Sequence, residues 1–201
     1  VILHSADVCT PEGIILDEDE YKRPEPEKIT KLEGAERLLK AAIRLFFEEG
    51  DMLAVHSLAA AAHEVLRNLL AKNNQTGSFI KDNDYIAQTH AKEYYDHMNR
   101  PHNFLKHADR DPDGVLDFYQ DATPFWILDG IGMYIKLTGN MRYKVFLLFF
   151  AWFAQQYPRM LKQDSDLAHL VERFARESII SKRHFAEIIG NPDLLDAKAF
   201  V

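Results

Sequence analysis

The densest run of chemically capable side chains in this 201-residue chain is Arg100-Pro101-His102-Asn103-Phe104-Leu105-Lys106-His107. In a helix that begins after Pro101, Asn103 and His107 stand one turn apart on one face, with Phe104 placed to anchor the segment in a core. An imidazole exchanges a proton near neutral pH, and an amide orients a phosphate oxygen or the imidazole itself. Arg100 or Lys106 balances phosphate charge. With His102 as a second imidazole, Asn103, His107, Arg100, Lys106 and His102 are the candidate catalytic residues, and phosphodiester cleavage without a metal is the chemistry they suit.

His56, His63 and Arg67 form a second polar group, projecting at nearly one angle from a helix read from Asp51 to about Asn73. They lie beside an apolar stripe of Val55, Leu58, Ala59, Ala62, Val65, Leu66, Leu69 and Leu70, which puts them at the edge of a helix interface, facing a cleft. The competing reading is that each histidine hydrogen-bonds across a helix pair. Seven residues rise roughly 10 Å, too far for His56 and His63 to share one ion. His63-Glu64-Val65-Leu66-Arg67 opens like a zinc-protease motif but carries Arg where the second histidine ligand belongs, so that chemistry is excluded and Glu64 is expected to face solvent. Asp129, inside the apolar segment 125–135, is a candidate buried carboxylate paired with Arg67, a histidine or a tyrosine hydroxyl.

The stretch Asp109-Arg110-Asp111-Pro112-Asp113-Gly114 alternates carboxylates and has glycine sixth, as a calcium loop does, with Asp117 ninth. Position twelve is Gln120, which supplies no bidentate carboxylate, and Pro112 constrains the loop. A capped surface turn is expected. A nonstandard divalent-metal site built from His63, His107, Asp109 and Asp111 is the alternative, and no other cofactor is called for.

The Asn103 and His107 pair, with its short spacer, resembles the HEPN group of helical bacterial proteins. Their common pattern is Arg, often followed by Asn, then a spacer and His. Here His102 stands where that pattern has Arg, and Arg100 is reached only across Pro101. The resemblance implies metal-independent cleavage of RNA, commonly across a dimer interface. The phrases Ala61-Ala62-His63-Glu64-Val65-Leu66 and Asn103-Phe104-Leu105-Lys106-His107-Ala108-Asp109 also look like parts of an uncharacterised bacterial protein family, which implies no particular activity.

Helices must position these groups. Over 29–49, Leu32, Ala35, Leu38, Leu39, Ala42, Ile43, Leu45 and Phe46 recur at helical spacing, and Gly50-Asp51 makes a stop and restart. The Ala59-Ala60-Ala61-Ala62 run admits a close neighbour, so that second helix is central. Residues 73–78 read as a loop, 81–98 as a helix, and Pro101 as a reset before a short helix over 102–108. Thr123 caps and Pro124 opens a helix over 123–138; Gly139-Asn140 separates it from an apolar helix over 141–157 that ends at Pro158. Shorter helices are read over 167–178 and 181–189. Alternation with period two is scarce, so the expected fold is all-α, an antiparallel helical bundle with short accessory helices.

A single domain over 29–201 preceded by an extended acidic arm or tail over 1–28 accounts for the chain. Residues 1–28 hold eight acidic and three basic side chains, so most of the net charge of −7 lies outside the folded body. Ile14, Ile15 and Leu16 have the body or a second subunit as docking partners. The acidic balance argues against nonspecific nucleic-acid binding. The single cysteine, Cys9, excludes an intrachain disulfide and an all-cysteine zinc site, which suits a reducing cytoplasm. The longest apolar run, 145–154, is about half of a bilayer span, so no membrane partner is expected. Its breadth and the arm before residue 29 point to a homodimer. The resulting expectation is a noncatalytic or regulatory helical protein whose polar patch organises the fold or takes a small polar ligand. A metal-independent endoribonuclease acting on RNA and a divalent-metal binder are the alternatives.

Overall fold

Thr30 and Glu33 start the first helix by a reciprocal exchange: the Thr30 hydroxyl accepts from the Glu33 N–H at 3.2 Å, and the Glu33 carboxylate accepts from the Thr30 N–H at 2.8 Å. The computed structural model describes residues 25–82, 88–107, 109–139, 143–160 and 182–189. The arm before residue 25, including Ile14 to Leu16, and the helix read over 167–178 lie outside the described residues. Helix α1 is Lys31–Phe47. Its C-terminal turn is closed by the Gly50 N–H donating to Leu45 C=O at 2.9 Å. The left-handed residue there is Glu49, at φ 57, rather than the glycine. Gly50 is required for space, since a Cβ would come within 2.3 Å of Leu45 Cδ1.

Asp51 then caps α2 (Met52–Lys72), its Oδ1 accepting from the N–H groups of Leu53 and Ala54 at 3.0 and 2.9 Å. Four residues separate α1 from α2, 48–51, and the two pack along each other as a helical hairpin. Helix α3 is Gln88–Lys106, with Pro101 inside it. The reset expected at Pro101 is therefore corrected, and 102–106 belongs to the same helix. Proline removes one helical bond to the His97 carbonyl, and residue 97 is exposed, so the loss falls on a solvent-facing part of the helix. The expected start near residue 81 is also corrected: 79–82 forms a turn in which the N–H groups of Phe79, Ile80 and Lys81 donate to side chains, as described below, and that of Asp82 donates to the Ser78 carbonyl.

A 3₁₀ turn, Gln120–Ala122, leads into α4 (Thr123–Thr138). Pro124 sits in its first turn as expected, but the cap position is Ala122, and Thr123 makes no capping bond. The Thr123 hydroxyl is buried and faces His56 instead. Gly139, at φ 76, closes α4. Helix α5 is Lys144–Gln156, and α6 is Lys182–Ile189. Among the described residues there is no strand, and the fold is all-α.

Helix α2 is the centre of the bundle, packed by α1, α4 and α3, while α5 packs against both α1 and α4 and α6 against α1 and α5. The small residues Ala59, Ala60 and Ala62 are buried there, as their size predicts. Phe146, Phe149 and Phe153 of α5 are core, and Phe46 meets Phe149 and Trp152 edge-on, the closer centroid 4.6 Å away. No helix among the described residues is long and apolar enough to cross a membrane.

Candidate functional site

His63 on α2 and Asp129 on α4 lie in the seam between the two helices, both at 0% exposure. An isolated carboxylate there would be costly, and it is satisfied from four directions. Asp129 Oδ2 accepts from His63 Nε2 at 2.8 Å, Ser78 Oγ at 2.5 Å and the Ile80 N–H at 3.2 Å; Oδ1 accepts from the Phe79 N–H at 2.9 Å. The Ser, His and Asp present are those of a hydrolytic triad, wired differently. A triad places the imidazole between carboxylate and hydroxyl, one on each ring nitrogen. Here Ser78 and Asp129 both meet His63 Nε2, Ser78 donates to the carboxylate, and Nδ1 has no partner among the described residues. No nucleophile is generated, and the cluster is a fastening. This corrects the expectation that His63 borders a cleft.

What it fastens is the turn after α2. Asp82 Oδ2 accepts from the N–H groups of Gly77 and Ser78, both at 3.2 Å, and Oδ1 accepts from Arg67 Nε at 2.8 Å. Burial works against the Asp82 carboxylate, but the Arg67 guanidinium and the two N–H groups outweigh it and hold its pKa below the usual range. Arg67 thus pairs with Asp82 and not with Asp129. The Ser78 hydroxyl accepts from the Lys81 N–H at 2.8 Å, and the Tyr95 hydroxyl on α3 donates to the Lys81 carbonyl at 2.7 Å. Lys81 is held at both of its backbone groups, and its ammonium lies 5.1 Å from the centre of the Trp126 ring.

Beside this turn α2 and α3 part to leave a polar cleft of about 370 Å³. From α3 it is lined by Asn99, His102, Asn103 and Lys106, an i, i+3, i+4, i+7 stripe, and then by His107. From α2 it receives Glu64, Arg67 and Asn68, and from the turn Lys81. Four of the five candidate catalytic residues therefore converge. Arg100 does not: it falls off the stripe and lines a smaller hollow of about 40 Å³ with His97, Asp117 and Tyr119. Glu64, expected in solvent, is half-exposed and faces the cleft, 3.3 Å from His102 Nε2 and 3.8 Å from Lys106 Nζ. The first contact is within ion-pair distance but is not aligned as a hydrogen bond. Burial, then the Lys106 charge, push the His102 imidazole below its ordinary pKa despite Glu64.

His56 opens on the smaller hollow and is 2% exposed, in the core rather than at its edge. Its Nδ1 is 3.3 Å from Thr123 Oγ1, and its ring stands edge-on to Phe118 and Trp126. Burial, aided by His102, pushes its pKa down to about 4.

No metal cage assembles from the expected ligands. His63 is in the core, His107 borders the cleft, and Asp109 and Asp111 sit on an exposed turn. Among the described residues no group of three or more His, Cys, Asp or Glu side chains gathers to hold an ion.

Sequence reasoning missed Lys81, Asn99 and Asn68. Asn68 was legible, since Glu64, Arg67 and Asn68 share a helical face at i, i+3, i+4. Lys81 had no local signal, because its position depends on partners from three helices. Chemically, the cleft offers cationic and amide donors suited to phosphate or carboxylate oxygens, with two imidazoles beside them. No protein-family model, curated protein or solved structure matches this chain.

Proposed function

We propose that the chain is a noncatalytic or regulatory helical protein whose α2–α3 cleft binds a small anion bearing a phosphate group. One observation carries this reading. Arg67, Lys81 and Lys106 share a cleft of about 370 Å³ with the amides of Asn68, Asn99 and Asn103, and Glu64 is the one carboxylate among the described lining residues. Hydrogen bonds from charged donors contribute roughly 1.5–3 kcal/mol each, enough for a few of them to hold a phosphate. Titration with inorganic pyrophosphate, followed by NMR at His102, Asn103 and His107, tests it. Saturable shifts that disappear in Lys106→Ala are expected. Resonances unmoved at millimolar pyrophosphate would defeat it.

The convergence of His102, Asn103, Lys106 and His107 on one cleft favours a second reading, the metal-independent endoribonuclease of HEPN type. It requires RNA cleavage in the presence of chelator, lost in His107→Ala and retained in Lys92→Ala, which alters an exposed residue of α3. Intact RNA with the wild-type chain removes this reading and leaves the first. A homodimer in the cytoplasm completes the proposal, motivated by Leu147, Leu148 and Phe150, which remain half-buried on α5. Light scattering over a concentration series reads the mass directly, and a monomer at every concentration counts against self-association.

A further inference from the structure

We propose that Lys81 is a covalent capture residue, its amine condensing with the carbonyl of a phosphorylated aldehyde held in the α2–α3 cleft. The inference rests on the anion-binding reading above. It begins from placement. The Lys81 N–H is bonded to Ser78 Oγ and its carbonyl to the Tyr95 hydroxyl, and Ser78 is in turn tied to the buried Asp129. A carboxylate and a histidine withdrawn from solvent are thus committed to a turn whose one basic side chain lines the cleft.

The second observation is the surroundings of the amine. Lys40, Lys92 and Lys106 each face a carboxylate within ion-pair distance. Among the described residues Lys81 has no such partner; its ammonium is half withdrawn from water over the Trp126 face. Burial, and next the neighbouring Arg67 guanidinium, hold its pKa below the ordinary lysine range against the opposing charges of Glu64, Asp129 and Asp82. A lysine with no ion-pair partner among the described residues, beside Arg67 and in a cleft with amide donors, combines a nucleophile with a phosphate-binding rim.

The step balances without an oxidant or reductant. The nitrogen lone pair attacks the aldehyde carbon, and the carbonyl oxygen takes a proton to give a carbinolamine. Loss of the nitrogen proton and of water then leaves a C=N bond. His102 and Glu64, which line the same cleft, are placed to carry these protons. Arg67 and Lys106 would hold the phosphate.

Pyridoxal 5′-phosphate is a suitable probe, with cyanoborohydride to trap the imine on the full chain and peptide mapping by mass spectrometry to locate it. At stoichiometric probe one adduct is expected, on Lys81. Its formation should be on the order of tenfold faster than with pyridoxal, which lacks the phosphate, and should be suppressed by inorganic pyrophosphate. Lys81→Arg should lose the adduct, whereas Lys92→Ala, which alters an exposed residue of α3 outside the cleft, should keep both the adduct and the pyrophosphate-induced NMR shifts of His102 and His107. Adducts distributed over exposed lysines such as Lys92, or equal rates for the two aldehydes, would overturn the proposal. If pyrophosphate shifts the cleft resonances and Lys81 stays unmodified, capture is wrong and the anion site stands. If neither occurs, both readings fall.

Discussion

Asp129 concentrates more energetic consequence than any other single side chain in the polar part of this protein. Removing its carboxylate strands two backbone N–H groups, a hydroxyl and an imidazole inside the α2–α4 seam. Asp129→Ala is expected to lose about 3–5 kcal/mol of stability, read from urea denaturation. A loss below about 1 kcal/mol would mean that water replaces the carboxylate. His56 sets a pH dependence. Its folded pKa of about 4 lies below the unfolded value of about 6.5, so the unfolded chain takes up the proton first as pH falls. The stability carried by neutral His56 is complete above about pH 6.5. It is lost between there and about pH 4, by up to roughly 3 kcal/mol, and His102 shifts in the same direction. His56→Phe should narrow the gap between urea midpoints measured at pH 7.5 and pH 4.5; an unchanged gap would assign the acid sensitivity to other groups.

At the scale of the elements, local chemistry explains where α1 and α2 begin and where α1 and α4 end. Thr30 with Glu33, and Asp51, act through bonds that span three residues or fewer. The turn between α1 and α2 holds two residues in opposite circumstances: Glu49 has the left-handed backbone and Gly50 has no room for a side chain. Glu49→Gly is therefore expected to gain up to about 1 kcal/mol. Gly50→Ala should destabilise, because its methyl meets Leu45. Thermal melts of the pair check the order, and a stabilised Gly50→Ala would show that Leu45 moves aside easily. Helix α3 runs through Pro101 and turns its Asn99, His102, Asn103 and Lys106 stripe toward α2. A straight reading of proline as a break divides a helix whose lost bond faces water.

Across the whole molecule, α4 comes up close against α1 at Gly130. A Cβ on Gly130 would stand 2.8 Å from Leu39 Cδ2, and both residues are buried. Gly130→Ala gains helix propensity but must displace Leu39, and a net loss of about 1–3 kcal/mol is expected by chemical denaturation. Stability equal to or above wild type would mean that the core relaxes around the methyl. The cleft occupies the contrasting region, where α3 lies over polar faces of α2 and the 78–82 turn.

The helical character, the restart at Asp51, the stop at Gly139 and the central placement of α2 were legible in the chain because they depend on residues within one or two turns of each other. The approach of Asn103 and His107 was legible for the same reason, the two standing one turn apart. Tertiary structure alone decided the rest. His63 meets a carboxylate 66 positions away and becomes part of the core, and Thr123 faces His56 rather than capping α4. Arg100 falls to the far side of α3, and Lys81 is aimed by bonds from Ser78 and Tyr95, while Asp129 holds Ser78. Burial and pairing of polar groups are properties of surfaces brought together, and helical spacing within one segment carries no record of which surface it will meet.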